Sequence, residues 1–236
     1  MAQVLVITPV KNSIETTLET AEAIQASTVS VEHKIYNDFS TAETKSELDK
    51  KASKVGYTVL HLEDVTDTPS PNYKLVLQMA QKEAIEKGLP LLVVESDVTV
   101  EKDTIAKMLD FYQQHKDVGL VGAITVGYDK KVNFPYLKFK DVREDVIDTK
   151  RSLSFCCTLF SKEFLAAYDF MELDDAKDWY DTFISKKAIE LGYKNFVLMN
   201  VPVLHKPHGS RPWKQLKYKN PLKYYFLKFW KGLDKI

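Results

Sequence analysis

The sequence predicts an α/β protein in which helices flank a doubly wound, mostly parallel sheet. Short apolar runs alternate with polar, helix-forming segments up to about residue 125. The runs are continuously apolar, as is typical of strands that are buried on both faces of a sheet. The length of 236 residues suits one such domain with, at most, a short appendage.

The elements follow from these runs and from the turns between them. Strands are predicted where apolar runs end in polar or proline-bearing turns, at residues 4–10, 31–36, 57–62, 90–95, 118–126, 153–160 and 195–204. Helices are predicted at residues 14–26, 42–54, 72–87, 101–115 and 176–191. Gly88 ends the third of these helices, and Ile105, Met108 and Leu109 give the fourth an apolar face. The irregular, charged residues 127–150 predict a loop or a short hairpin.

Composition limits the environment in which the chain works. No apolar run reaches the roughly 18 to 20 residues that a membrane span needs, and the N-terminus lacks a basic-then-apolar signal pattern. The two cysteines, Cys156 and Cys157, are adjacent within an apolar segment, and no metal-ligating residue stands near them in the sequence. They are predicted to be reduced core residues, which fits a cytoplasmic protein.

The formal charge is zero overall but unevenly distributed. Residues 211–236 carry eight basic residues and one acid, a net charge of +7 that residues 1–210 balance. From residue 222 onward, one helical face is apolar: Leu222, Tyr225, Phe226, Phe229, Trp230 and Leu233. We therefore divide the chain into a domain at 1–210 and a basic amphipathic C-terminal helix at 211–236. This helix either packs on the protein's own body or lies on the inner face of an anionic membrane. Nothing beyond charge suggests nucleic-acid binding.

The triplet Glu95-Ser96-Asp97 follows the predicted strand 90–95. Ligands of open α/β sheets bind at the carboxyl ends of the strands. Strand alternation predicts that Glu95 and Asp97 point the same way. Two carboxylates on one face suit Mg²⁺ or Mn²⁺ holding a diphosphate, with Asp97 as a direct ligand.

Other polar residues supply the remaining chemistry of a nucleotide site. Asp38 and the turn at residues 8–10 offer an edge acceptor and a close backbone for a base, and Glu95 could accept hydrogen bonds from a ribose. A late histidine, His205 or His208, could complete a metal shell or contact phosphate. Arg211 is a further phosphate-binding candidate.

Four motifs occur together in an order that resembles the GT-A glycosyltransferases of family two, over residues 3–210. They are Val6-Ile7-Thr8-Pro9-Val10-Lys11-Asn12, Asn37-Asp38-Phe39-Ser40-Thr41, Glu95-Ser96-Asp97, and Trp179-Tyr180-Asp181 followed by Leu191-Gly192-Tyr193-Lys194 and Val203-Leu204-His205-Lys206-Pro207-His208. The resemblance implies a Rossmann-like GT-A fold. It also implies an inverting, metal-dependent transfer of a sugar from a nucleotide sugar, with UDP favoured over GDP.

The resemblance assigns roles residue by residue. Asp181 becomes the base that takes the proton of an acceptor hydroxyl, on a glycan or a lipid-linked acceptor. Asp97 and His205 become ligands of Mn²⁺ or Mg²⁺. The expected nucleotide-binding residues are Thr8, Pro9, Val10, Asn12, Asp38, Asn72, Lys74, Glu95 and Ser96.

The sequence departs from the family pattern at three motifs. Glu95 stands where the family has an Asp, Asn37 stands where an Asp is common, and Tyr180 stands where the family has a Glu. Three alternatives therefore stay open: Asp178 as the base, His208 as the metal ligand, and a catalytically degenerate domain that binds a nucleotide sugar or a partner. A phosphatase of the haloacid-dehalogenase type is disfavoured because Glu95 replaces its nucleophilic Asp. A nucleotidyltransferase is disfavoured because no glycine-rich loop follows the first strand.

Overall fold

The computed structural model describes residues 2–174, 179–206 and 220–231, without the side chains of 228 and 231. One mixed sheet forms its centre. Its strands are β1 (Val4–Val10), β2 (Val31–Asn37), β3 (Thr58–His61), β4 (Leu91–Val94), β5 (Val98–Thr99), β6 (Val118–Val126), β7 (Val146–Asp148), β8 (Cys157–Phe160) and β9 (Lys194–His205). Their order in space is β3-β2-β1-β4-β8-β6-β9-β5, with β7 also paired to β9.

Helices cover both faces of the sheet, as the sequence predicts. They are α1 (Ile14–Gln25), α2 (Ala42–Val55), α3 (Tyr73–Lys87), α4 (Thr104–Gln114), α5 (Lys162–Ala167), α6 (Tyr180–Glu190) and α7 (Pro221–Lys231). Alternation along β1 sends Leu5 and Ile7 into a core with α3, and Val4 and Val6 into a core with α1 and α4. The doubly wound α/β prediction is therefore confirmed.

Three segments of the chain differ from the sequence prediction. Residues 127–150 contain a short 3₁₀ helix at Leu137–Phe139 and the strand β7, which pairs antiparallel with β9. The predicted strand at 153–160 begins only at Cys157. The short helix α5 was not predicted, because six residues are too few to show a helical period.

Strand β8 is antiparallel to both of its neighbours, β4 and β6, in an otherwise largely parallel central sheet. Its first residue, Cys157, pairs with Val94, the last residue of β4. The residues just before β8 therefore lie at the edge where β1, β2 and β4 end. This reversal brings residues 154–156 to the ligand-binding edge of the sheet.

The C-terminal helix α7 turns its apolar face outward. Leu222, Phe229 and Trp230 are 85%, 92% and 74% exposed, whereas Tyr224 on the opposite side of the helix is buried. The expectation that this face packs on the protein's own body is therefore wrong for the described residues, because the helix is anchored through its other side. None of the described helices combines the length and the apolarity that crossing a membrane requires.

Candidate active site

Four potential ligand groups converge at the carboxyl edge of the central strands. Glu95 follows β4, Cys156 precedes β8, and His205 ends β9. Their ligand atoms all lie within 4.8 Å of one another. Asp97 joins them, with its Oδ2 3.5 Å from Nε2 of His205. Asp97 and His205, the two residues predicted as metal ligands, thus lie side by side.

The two carboxylates reach this cluster by a different route from the predicted one. Strand β4 ends at Val94, so Glu95, Ser96 and Asp97 lie in a turn rather than on an alternating strand. The amide of Val98 donates to the carbonyl of Glu95 at 3.1 Å and closes this turn. The chain then pairs with β9, which sets Val98 opposite His205 and places Asp97 beside the imidazole.

The backbone fixes which nitrogen of His205 faces the cluster. Nδ1 lies 2.7 Å from the carbonyl oxygen of Phe134 and must carry a proton, because a carbonyl only accepts. Nε2 consequently faces Asp97 and Cys156. Burial alone would lower the pKa of His205, but the hydrogen bond and charge of Asp97, the charge of Glu95 and the Phe134 carbonyl together outweigh it, and the net shift is upward.

Cys156 is a site residue that the sequence reasoning missed. Its Sγ donates to Oε2 of Glu95 at 3.1 Å and lies 4.0 Å from Nε2 of His205. The expectation that neither cysteine has metal-ligating company is therefore wrong for Cys156. No sequence signal could have shown this, because the contact depends on the antiparallel pairing of β8 with β4. Both cysteines are free and buried, as predicted.

The donor set fits a divalent cation. Carboxylate oxygen and imidazole nitrogen are the usual ligands of Mn²⁺ and related ions. A metal-binding histidine commonly donates its second N–H to a backbone carbonyl, as His205 does to Phe134. Asp97 is 3% exposed, and a buried carboxylate is best stabilised by a cationic partner.

The turns after β1 and β2 form a second part of the site. Asn12 has a positive φ of 56°, and its Oδ1 accepts a 2.7 Å hydrogen bond from the amide of Thr41. The hydroxyl oxygen of Ser40 accepts from the amide of Asn12 at 2.9 Å. These bonds hold the two turns together.

Asp38 lies beside a cavity of about 160 Å³ lined by Pro9, Val10, Lys11, Asp38, Tyr73 and Val76. Its carboxylate is held by three donors: the Ser70 hydroxyl at 2.7 Å, and the backbone and side-chain amides of Asn72 at 2.9 and 2.8 Å. A carboxylate has about four acceptor positions, so these bonds leave capacity for a ligand. Of the residues predicted to contact the base, Pro9, Val10 and Asp38 line this cavity, whereas Thr8 does not.

The other predicted nucleotide-binding residues differ in exposure. Thr8 is fully buried, and its hydroxyl contacts Nε2 of His33 at 3.0 Å, so this residue lies behind the surface of the site. Asn72 is also buried, with its side chain engaged by Asp38. Lys74 and Ser96 are half-buried.

Asp181 lies in the first turn of α6 and is half-buried. It is linked to the cluster through Tyr73, whose ring lies 6.3 Å from that of Tyr180. Burial raises the pKa of Tyr73 well above its usual value, and the charges of Glu95 and Asp181 raise it further. The two carboxylates are thus close enough to act on one phenol. The competing candidates Asp178, His208 and Arg211 lie outside the described residues.

Cavity size does not identify the site. A larger cavity of about 740 Å³ lies at the opposite edge of the sheet, where it is lined by Pro90, Val118 and Tyr193. The convergence of donor groups at the carboxyl edge carries the assignment instead.

The sheet, its two helical layers and this acidic edge define a GT-A type α/β fold. The sequence profile described as glycosyl transferase family 2 matches residues 5–168, and the chain belongs to that family. A search of curated proteins found no match to the sequence.

Solved structures support the fold. The structure of S. aureus TarS has a TM-score of 0.67 at 20% identity, and the match covers 87% of this chain and 60% of the TarS chain. The mannosyltransferase PcManGT from Pyrobaculum calidifontis, in complex with GDP-Man and Mn²⁺, has a TM-score of 0.66 at 16% identity over 99% of this chain and 65% of its own. The structure of GalNAc-T7 with UDP, GalNAc and Mn²⁺ has a TM-score of 0.61 at 13% identity, and the match covers 88% of this chain and 44% of the GalNAc-T7 chain. This chain thus spans less than two thirds of each of these proteins.

Proposed function

We propose that this chain transfers a sugar from a nucleotide-sugar donor, with inversion, to a hydroxyl group of a glycan or lipid-linked acceptor. The observation that carries the proposal is the convergence of Glu95, Asp97 and His205 at the sheet's carboxyl edge, near the cavity beside Asp38. Membership of glycosyl transferase family 2 supports the same reaction class. The similar structures hold UDP, UDP-GlcNAc or GDP-Man.

Asp97 and His205 would hold the divalent cation, Mn²⁺ or Mg²⁺. When bound, such an ion neutralises the charge that develops on a departing diphosphate. The fixed Nδ1 proton of His205 leaves Nε2 available as the ligand atom. Glu95 would contact the ribose, beside the turn that Ser96 helps to form.

The donor's base would lie against the backbone of Pro9 and Val10, with Asp38 as the acceptor at its edge. Asn12 would act indirectly, because it holds the turns after β1 and β2 together. Asn72 and Thr8 would likewise position this surface from within the fold. Lys74, at the start of α3, would approach the donor from the other side of the cavity.

Asp181 would accept the proton of the acceptor hydroxyl as its oxygen attacks the anomeric carbon. The bond from that carbon to the diphosphate breaks, and the nucleoside diphosphate leaves with the bonding electron pair. Because attack and departure occur on opposite faces, the anomeric configuration inverts. What supports this role is that burial and then the charges of both Glu95 and Asp181 raise the pKa of Tyr73, so the two carboxylates lie near the same phenol.

The exposed face of α7 supports peripheral contact with an anionic membrane. Its exposed aromatic residues resemble those that anchor interfacial helices, and the lysines of residues 211–236 complement anionic headgroups. A lipid-linked acceptor would then lie close to the enzyme.

Calorimetric titration with UDP and with GDP, each with and without Mn²⁺, tests the donor site. We expect metal-dependent binding of one nucleotide, and at least about tenfold weaker binding by Asp97→Ala. Asp103→Ala is the matched control, because Asp103 is an exposed aspartate that pairs with Lys107 at the start of α4. A folded protein that binds neither nucleotide would refute the proposal.

A catalytically degenerate domain is the second candidate, and Tyr180 is the observation that favours it, since the family has a Glu there. Such a domain would bind the nucleotide sugar without turning it over. Metal-dependent release of UDP or GDP from a panel of nucleotide sugars, with and without acceptor, separates the two candidates.

A further inference from the structure

The cysteine beside the carboxylates is arranged as a ligand rather than as a core residue. Sγ of Cys156 lies between Glu95 and His205, at 3.1 Å from Oε2 and 4.0 Å from Nε2. The ligands of a tetrahedral ion with bonds of about 2.0–2.3 Å lie roughly 3.3–3.7 Å apart. The observed separations are within about half an ångström of that range, as is the 3.5 Å between His205 and Asp97.

The neighbouring cysteine shows what a core thiol looks like in this fold. Cys157 is equally buried, but its Sγ lies 3.9 Å from Sδ of Met108 in α4. The Sγ of Cys156, by contrast, contacts the carboxylate of Glu95 and lies 4.0 Å from the imidazole of His205. The two thiols therefore differ in their partners although both are buried.

We infer that Cys156 is an additional ligand at the cation site, giving it a sulfur, nitrogen and oxygen donor set. This inference rests on the proposed function, in which Asp97 and His205 hold a divalent ion. A thiolate ligand favours thiophilic ions such as Zn²⁺, Co²⁺ and Cd²⁺ over Mg²⁺, which prefers oxygen alone. The metal preference of the enzyme would thus be set partly by a residue outside the acidic triplet.

Binding involves the exchange of one proton. In the structure the Cys156 thiol donates a hydrogen bond to Oε2 of Glu95. On metal binding this S–H bond would break, a sulfur–metal bond would form in its place, and the proton would pass to the solvent. A variant without the thiol therefore releases one proton fewer for each ion that it binds.

Cobalt spectroscopy on the full chain tests the inference without measuring activity. We expect the Co²⁺-loaded wild type to show a thiolate-to-cobalt charge-transfer band in the near ultraviolet, and Cys156→Ser to lack it. Cys157→Ser is the matched control and should keep the band. Cd²⁺ binding should weaken about tenfold or more in Cys156→Ser, whereas Mg²⁺ binding should change little.

The outcomes separate this inference from the proposed function. If Co²⁺ and Mn²⁺ bind but no thiolate band appears, the sulfur ligand is refuted and the oxygen–nitrogen site stands. If Cys157→Ser loses the band as completely as Cys156→Ser, the assignment to Cys156 is also overturned. If no divalent ion binds at all, both the inference and the metal-dependent part of the proposed function fail.

Discussion

Two histidines with similar burial have opposite pKa shifts, because they have different partners. His33, 2% exposed, contacts the neutral hydroxyl of Thr8, and burial lowers its pKa to about 3. His205, 5% exposed, faces the carboxylate of Asp97, which raises its pKa despite burial. The charge of the neighbouring group thus determines the direction in which the pKa of a buried imidazole shifts, and it distinguishes His205 in the site from His33 in the core.

The lowered pKa of His33 predicts acid sensitivity of the fold. Below the ordinary pKa of about 6.5, the unfolded chain binds a proton that the folded chain excludes, so stability is lost as the pH falls from there towards 3. Between about pH 8 and pH 5, this group should remove about 2 kcal/mol from the free energy of unfolding. Urea denaturation at both pH values measures this loss. In His33→Gln, the decrease in the free energy of unfolding between pH 8 and pH 5 should be about 2 kcal/mol smaller than in the wild type.

His115→Gln is the control for this prediction. It makes the same substitution at an exposed histidine, so the comparison separates the loss of a buried imidazole from the loss of an exposed one. An equal acid-induced loss in wild type and His33→Gln would contradict the assignment.

The proposed role of Asp181 predicts a rate defect without a binding defect. Asp181→Ala should lower the transfer rate by about 10²- to 10⁴-fold, because proton transfer to a positioned base contributes that much. Donor affinity, measured by calorimetry, should stay within about threefold, since the cation ligands lie elsewhere. Glu190→Ala, at the exposed end of the same helix, should behave as wild type. An unchanged rate in Asp181→Ala would refute the role.

At the scale of elements, one carboxylate joins β2 to the start of α3. Asp38 follows β2, and its three donors come from Ser70 and Asn72, just before α3. The side chain of Asn72 also donates to the carbonyl of Thr68 at 2.9 Å. The wall of the cavity beside Pro9 and Val10 thus depends on hydrogen bonds between loops.

This arrangement predicts that exchanging the residues at positions 38 and 72 restores part of the stability lost in a single variant. Asp38→Asn should lower the free energy of unfolding by about 1–3 kcal/mol, because its new NH₂ group faces the NH₂ group of Asn72. The double variant Asp38→Asn, Asn72→Asp should recover part of that loss, since the donor and acceptor are exchanged. Urea denaturation measures both effects, and Asp67→Asn in the exposed loop nearby is the control. A double variant less stable than the sum of the single effects would contradict this account.

At the scale of the whole molecule, the exposed apolar residues concentrate on one helix. Leu222, Tyr225, Phe226, Phe229 and Trp230 form this exposed stripe on α7, while those on the body are scattered, such as Tyr128 and Met171. A contiguous apolar patch of this kind marks an interaction surface. The lysines between these residues in the sequence favour a negatively charged surface, rather than a purely apolar one, as the partner of this stripe.

The stripe predicts binding to lipid. The protein should co-sediment with vesicles that contain anionic lipid and much less with neutral ones, and Phe229→Glu with Trp230→Glu should weaken this binding at least tenfold. Burying one large apolar side chain contributes about 1.5–3 kcal/mol, so two are enough for that change. Tyr128→Glu, on the body and 72% exposed, is the matched control. Equal sedimentation with neutral vesicles, or self-association through the stripe without lipid binding, would overturn the prediction.

The layered α/β fold, the bounds of β1 and β6 and the acidic edge could be predicted from the sequence, because burial on both faces leaves a local, continuous apolar pattern. The family resemblance also grouped Asp97 with His205. Three features became visible only in the folded chain: Glu95 to Asp97 form a turn, Cys156 contacts Glu95, and the apolar face of α7 points outward. These features depend on strand pairing and docking between residues far apart in the chain, and such contacts leave no period in the sequence.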